Sequence, residues 1–217
     1  YVVADGLRED EQVVVNGNFK IDSALQIRAK PSMMSPEDEG EMAEHVDHEE
    51  MHEKPKLEAP EEFQEQLAGL WEAYQPMRRA LAEDDPATAA ERARTMRQAL
   101  DQVDMMLLKG GAHEAWMAQM ETMRDALGKI AAAPEDLKAQ RTAFEHASNA
   151  LTQAVRRFGV EGSGPIYRLM CPMAFGDRTA YWLQADRAVR NPYWGPAMLE
   201  CGEVTDTLIE PEEPASD

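Results

Sequence analysis

The spacing of apolar positions changes along this chain, and each change marks a part of it. Near the start, Val2 and Val3, a turn at Asp5-Gly6, Val13 to Val15, a turn at Asn16-Gly17, and then Phe19 and Ile21 alternate as short strands do. So short a stretch buries no core of its own, so residues 1–30 are expected to close a β domain whose remainder lies outside this chain. Residues 31–60 are rich in proline and acid and nearly free of aliphatic side chains, which predicts a flexible linker. From Glu61 the period becomes helical. Phe63, Leu67, Leu70, Tyr74, Met77 and Leu81 step by three and four, with Pro76 expected to kink the last turns. Asp84-Asp85-Pro86 ends that helix and caps the next, which carries Ala89, Ala93, Met96, Leu100, Val103 and Leu107 up to Gly110-Gly111.

A third helix places Ala112, Trp116, Met120, Met123, Leu127 and Ile130 on one face before Pro134. A fourth uses Leu137, Phe144, Ala147, Leu151, Val155 and Phe158 and stops at Gly159. Amphipathic helices of similar length joined by short loops predict an antiparallel four-helix bundle over 61–160. The helical period is then lost. Glycines and prolines from Gly162 to Gly202 break residues 161–209 into short strands and turns carrying Tyr167, Phe175, Tyr181, Trp182, Tyr193 and Trp194. An irregular segment this aromatic is expected to pack on the bundle. Residues 210–217 form an acidic tail. The expected fold class is mainly α: a four-helix bundle with an irregular Cys/Met segment packed on it, preceded by a short β remnant.

Charge narrows the function classes. The chain has 217 residues with 41 acidic against 22 basic side chains, a net charge of −19 that repels phosphate backbones and argues against nucleic-acid binding. No apolar run is long enough to span a bilayer. The chain opens Tyr1-Val2-Val3 with neither an initiating Met nor a signal peptide, so it is expected to be the carboxy-terminal part of a longer precursor.

Fourteen methionines beside two cysteines is the unusual feature. Methionine fills gaps in helical cores, and its neutral thioether is also a soft ligand for Cu(I) or Ag(I) in an oxidising compartment. Met33, Met34, Met42, His45, His48, Met51 and His52 lie in the linker, as weak metal ligands or as part of a solvated tether. The cysteines fall in Met170-Cys171-Pro172-Met173 and Met198-Leu199-Glu200-Cys201-Gly202. Three fates stand open for them: a shared soft cation, a structural disulfide, or two inert buried thiols. His113, at the start of the third helix, and His146, in the fourth, are the histidines within the helices. His113 is the one expected to face the Cys segment, because a returning chain reaches a helix start. No nucleophile with a histidine partner, phosphate-binding glycine loop or HExxH helix is present, so an enzyme is not expected.

The stretch Gly6 to Ser23 resembles the end of the membrane-proximal domain in periplasmic adaptor (membrane fusion) subunits of heavy-metal RND efflux pumps. Residues from Phe63 to Val204 are similar to a helical domain of undetermined function appended to some copper/silver efflux adaptors. The motifs that carry this likeness are Gly110-Gly111-Ala112-His113-Glu114-Ala115-Trp116, the Phe144 to Leu151 helix, Met170-Cys171-Pro172-Met173-Ala174, Tyr181-Trp182-Leu183, Asn191-Pro192-Tyr193-Trp194-Gly195 and Met198-Leu199-Glu200-Cys201-Gly202. The resemblance implies a periplasmic location and Cu(I) or Ag(I) as cargo. It also implies an inner-membrane pump and an outer-membrane channel as partners, with a periplasmic metallochaperone as a further one. By position it makes Cys171, Met173, Cys201 and His113 the first candidates for a metal site, with Met170 and Met198 as alternates. The lipoyl-like and hairpin regions of an adaptor, and the amino-terminal methionine cluster of some copper adaptors, are missing from this chain.

Overall fold

A computed structural model describes residues 56–176 and 178–211. The expected β remnant, all of the linker except its last few residues, and most of the acidic tail lie outside the described residues. Four helices come first: α1 (Glu61–Ala82), α2 (Pro86–Asp101), α3 (Gly110–Ala132) and α4 (Leu137–Phe158). Each packs on the one before it, and α1 and α4 also meet. The strands follow the helices: β1 (Ile166–Cys171), β2 (Ala180–Gln184) and β3 (Glu203–Ile209). They form an antiparallel sheet in the order β2-β1-β3, with β1 central. The described part is thus mainly helical with a small carboxy-terminal sheet, and the segment expected to be irregular is in good part strand.

The helical stripes in the sequence become the core. Phe63, Leu67, Leu70, Tyr74, Met77 and Leu81 are all buried on α1, and Phe144, Ala147, Leu151, Val155 and Phe158 on α4. Pro76 stands inside α1 without ending it, since a proline removes one backbone hydrogen bond but the buried stripe holds both sides of the gap. Asp85 caps α2, its carboxylate accepting from the Thr88 amide at 2.9 Å, with Pro86 in the first turn. Asp136 caps α4 in the same way through the Ala139 amide. The second helix is shorter than its apolar pattern predicts. It ends at Asp101, and a 3-10 turn at Met105–Leu107 carries the chain to α3. Leu107 matched the helical period but belongs to this turn, because Asp104 accepts from the Met106 amide at 2.9 Å and starts the turn afresh.

The sheet lies on α4, with β2 as the strand that meets it. Tyr74 of α1 locks the two layers together. Its hydroxyl shares a 2.9 Å hydrogen bond with Ser148 on α4 and accepts from the Leu183 amide of β2 at 3.2 Å. An unbroken series of aromatic contacts continues the join. Trp71 stacks on Tyr74, Tyr74 on Phe144, and Phe144 meets the edge of Tyr193, with centroid separations of 5.5 to 5.8 Å. No helix among the described residues is long and apolar enough to cross a membrane.

Burial pushes the Tyr74 phenol up to about 12. The unfolded chain therefore ionises first, near pH 10, and stability is full below that pH and declines as pH rises toward 12. Tyr74→Phe strands the Ser148 hydroxyl and the Leu183 amide. Urea denaturation is expected to show a loss of about 1–3 kcal/mol at pH 7 and a smaller decline in stability above pH 10 than in the parent.

Candidate soft-metal site

Cys171 is the last residue of β1, and Cys201 lies just before β3, so central and edge strands bring them together at one end of the sheet. Their sulfurs are 4.0 Å apart. Cys171 is 0% exposed while Cys201 is half-buried, so one thiol faces the core and the other the surface. Partial burial, and then the adjacent Cys171, hold the Cys201 thiol above its ordinary pKa.

The turn bearing Cys201 is held from several sides. Asn191, fully buried, donates from its side chain to the Cys201 carbonyl at 2.7 Å and from its amide to the Leu199 carbonyl at 2.7 Å. Its side-chain oxygen accepts from the Tyr193 amide at 2.8 Å. The Cys201 amide donates to the Met198 carbonyl at 3.1 Å, which closes the turn. Gly202 then passes so close to β1 that an added Cβ would stand 2.7 Å from the Met170 carbonyl oxygen and 2.8 Å from the Trp182 ring. Its φ of 143° is also one that a side chain resists. Only glycine lets the strand return past Cys171 at this distance.

On the other side, the turn after Cys171 is tied down by Trp194, whose indole donates to the Met173 carbonyl at 2.8 Å. Tyr193 is buried among Phe144, Phe175 and Trp182, and its hydroxyl donates to the Tyr181 carbonyl at 2.6 Å. Burial raises its phenol well above the usual range. Gln184 gathers the loop leading to Asn191, accepting from Arg78, from the Trp182 indole and from the Arg190 amide. Arg141 of α4 reaches the same loop, donating to the Pro192 carbonyl at 2.8 Å and to the Leu81 carbonyl at 2.9 Å. The motifs around Cys171, Asn191 and Cys201 are separate stretches of the chain that meet in space.

The sequence-derived ligand candidates divide. Met173 and Met198 are 42% and 36% exposed and flank the two thiols in the chain, one after Cys171 and one before Cys201. Met170 neighbours Cys171 in β1, and successive strand residues point to opposite faces, so its thioether is on the face away from the Cys171 thiol. It shares that outer face with its cross-strand partner Tyr181 and with Arg168, whose guanidinium lies 3.6 Å over the Tyr181 ring. His113 does not join the thiols. Trp116, one turn along α3 from it, meets Phe158, whereas the Cys segment meets α4 at Phe144, roughly 20 Å nearer its other end. The expectation failed because the chain returns along α4, not α3. His146 is exposed on α4 beside Lys129 and Thr142, in a shallow groove away from the sulfurs. Asn191, Gly202 and Gln184 were given no role by sequence reasoning, although Asn191 and Gly202 stood in motifs that drew notice.

No group of three or more His, Cys, Asp or Glu among the described residues is arranged to hold a metal ion. Zinc commonly takes about four ligands of those types, and thiols and thioethers are the donor types that soft monovalent cations accept.

Gly202→Ala is expected to lower the melting temperature by several degrees and to speed alkylation of Cys201, since the turn must move off β1. With the Cys201 thiol held above its ordinary value, its alkylation rate in the parent should rise about tenfold per pH unit from pH 7 to 8. Mass spectrometry of iodoacetamide-treated protein reads both.

Residues 70–163, from within α1 to just past α4, match a family described as protein of unknown function (DUF3347). Both cysteines lie beyond that match. No curated protein and no solved structure matches the chain.

Proposed function

We propose that this chain captures Cu(I) or Ag(I) as cargo at Cys171 and Cys201 and hands it on, as a non-enzymatic part of a periplasmic adaptor in an RND-type heavy-metal efflux system. The observation that supports the reading is the 4.0 Å separation of the two sulfurs. Two sulfurs each about 2.3 Å from one metal and bonded to it at a trigonal angle stand about 4.0 Å apart, whereas a disulfide requires about 2.05 Å. A trigonal site has room for one more donor, and Met173 and Met198, two residues after Cys171 and three before Cys201, are the exposed thioethers beside the thiols in the chain. In this reading the four helices form an antiparallel bundle that serves as a platform, and Cys171 anchors the ion from the buried side. Cys201 and a methionine hold it from the exposed side, where an incoming ligand from a partner can replace them one at a time. An inner-membrane pump, an outer-membrane channel and a metallochaperone are the partners that this role calls for.

Thiolates are the ligands, so binding releases the thiol protons and affinity rises with pH. An anaerobic Cu(I) titration against a competing chelator is expected to show one tight site that weakens about a hundredfold per pH unit below neutrality, where two protons are displaced. Cys171→Ser should abolish that site with the helical circular dichroism unchanged. Unaltered affinity in the variant removes the thiols from the mechanism.

A second reading draws on the complete burial of Cys171. There the two cysteines close into a disulfide that staples the start of β3 to the end of β1, and the domain works by contact with a partner. Native protein would then contain no free thiol and would lose about 2–4 kcal/mol on reduction.

A further inference from the structure

Methionines within the helices fall into two groups. Met77, Met96 and Met123 are fully buried and fill the core. Met105, Met106, Met117 and Met120 instead line one pocket of about 480 Å3, between the end of α2, the 3-10 turn and the first half of α3. Only Met120, at 6% exposure, is buried; Met106 is 73% exposed, the most exposed of the large apolar residues described. Met105 and Met117 are half-buried with one side against the core, but core packing does not explain the exposure of Met106 on a turn that buries no residue. We infer that this pocket is a second soft-cation site, in which thioethers of the turn and of α3 take Cu(I) or Ag(I).

The turn is held in place for such a role. Asp104 accepts from the Met106 amide at 2.9 Å, its own amide donates to the Gln66 side chain at 2.7 Å, and the Leu108 amide donates to the Met105 carbonyl at 3.2 Å. Across the pocket, Met117 and Met120 are three residues apart on α3, the spacing that puts side chains on one helix face. Charge suits a cation. Asp101 and Asp104 both line the pocket, and its one arginine, Arg124, is ion-paired with Asp101 at 2.6 Å, which leaves the Asp104 carboxylate to balance an incoming positive ion. The Arg124 guanidinium also donates to the Met120 sulfur at 3.8 Å, a contact that an incoming cation displaces. Thioethers bind soft monovalent ions and bind calcium, magnesium and zinc poorly, and two carboxylates are too few to reverse that preference.

The site does not rest on the state of the cysteines, and the experiment separates the two. Full-length Cys171→Ser/Cys201→Ser protein, labelled with carbon-13 at its methionine methyls, is titrated with Ag(I), and the same methyls are followed in the parent in case the double variant is unstable. The methyl signals of Met106, Met117 and Met120 are expected to shift together with one equivalent, and zinc is expected to leave them in place. Met106→Leu/Met117→Leu keeps side-chain volume and should lower Ag(I) affinity of the serine variant about tenfold or more. Shifts confined to Met33, Met34, Met42 and Met51, or an affinity that the leucine pair leaves unchanged, would overturn the assignment and place the binding in the amino-terminal tract.

Discussion

The contact on which the carboxy-terminal half depends is the burial of Tyr193 between helix and sheet. Its ring meets Phe144 of α4 on one side and Trp182 of β2 and Phe175 on others, while its amide and hydroxyl are both bound. An aromatic ring enclosed in this way fixes the backbone that carries it, because withdrawing it would open a large cavity and expose two polar groups at once. Asn191 precedes it by two residues and passes the constraint on to Leu199 and Cys201. The position of the surface thiol is thus set from the helical core through one ring and one amide side chain.

This arrangement reconciles rigidity with exchange. Cys171 has no freedom, being at the end of a central strand and fully buried. Cys201 sits in a turn held by backbone hydrogen bonds but open to solvent, with Met198 exposed in the same turn. In the proposed capture of a soft cation, a pair of thiols fixed on one side and accessible on the other would favour transfer over storage. The same asymmetry would make a disulfide here open to reductant from the Cys201 side. Both chemistries start from the same geometry, and what differs is which reagent reaches the outer sulfur.

The methionines sort by the same logic of packing and exposure. Where a helix interior needs a flexible filler they are fully covered, and where they gather beside the 3-10 turn their exposure ranges from the buried Met120 to the open Met106. Composition counts them together; burial separates them.

Much of the fold was legible in the sequence, because an amphipathic helix writes its period into the chain and Asp85 and Gly159 punctuate it with a local hydrogen bond or a local φ, whereas the Asp136 cap was seen only in the structure. The same local rules found both cysteines and their flanking methionines. They missed the early end of α2, where a side chain of the turn outcompetes the helical period, and they read as irregular a sheet whose first two strands are short and largely buried on both faces. They could not say which helix the carboxy-terminal segment would return along. That choice was made by Tyr74 and Phe144, which offer β2 and Tyr193 a hydroxyl and an aromatic surface on the α1–α4 side and so carry the thiols away from His113. Sequence by itself determined the apolar stripes of the four helices, the Asp85 cap and the soft-ligand inventory, since each depends on neighbours within a turn or two. Tertiary structure alone decided which sulfurs meet, because that depends on where buried rings from distant segments find each other.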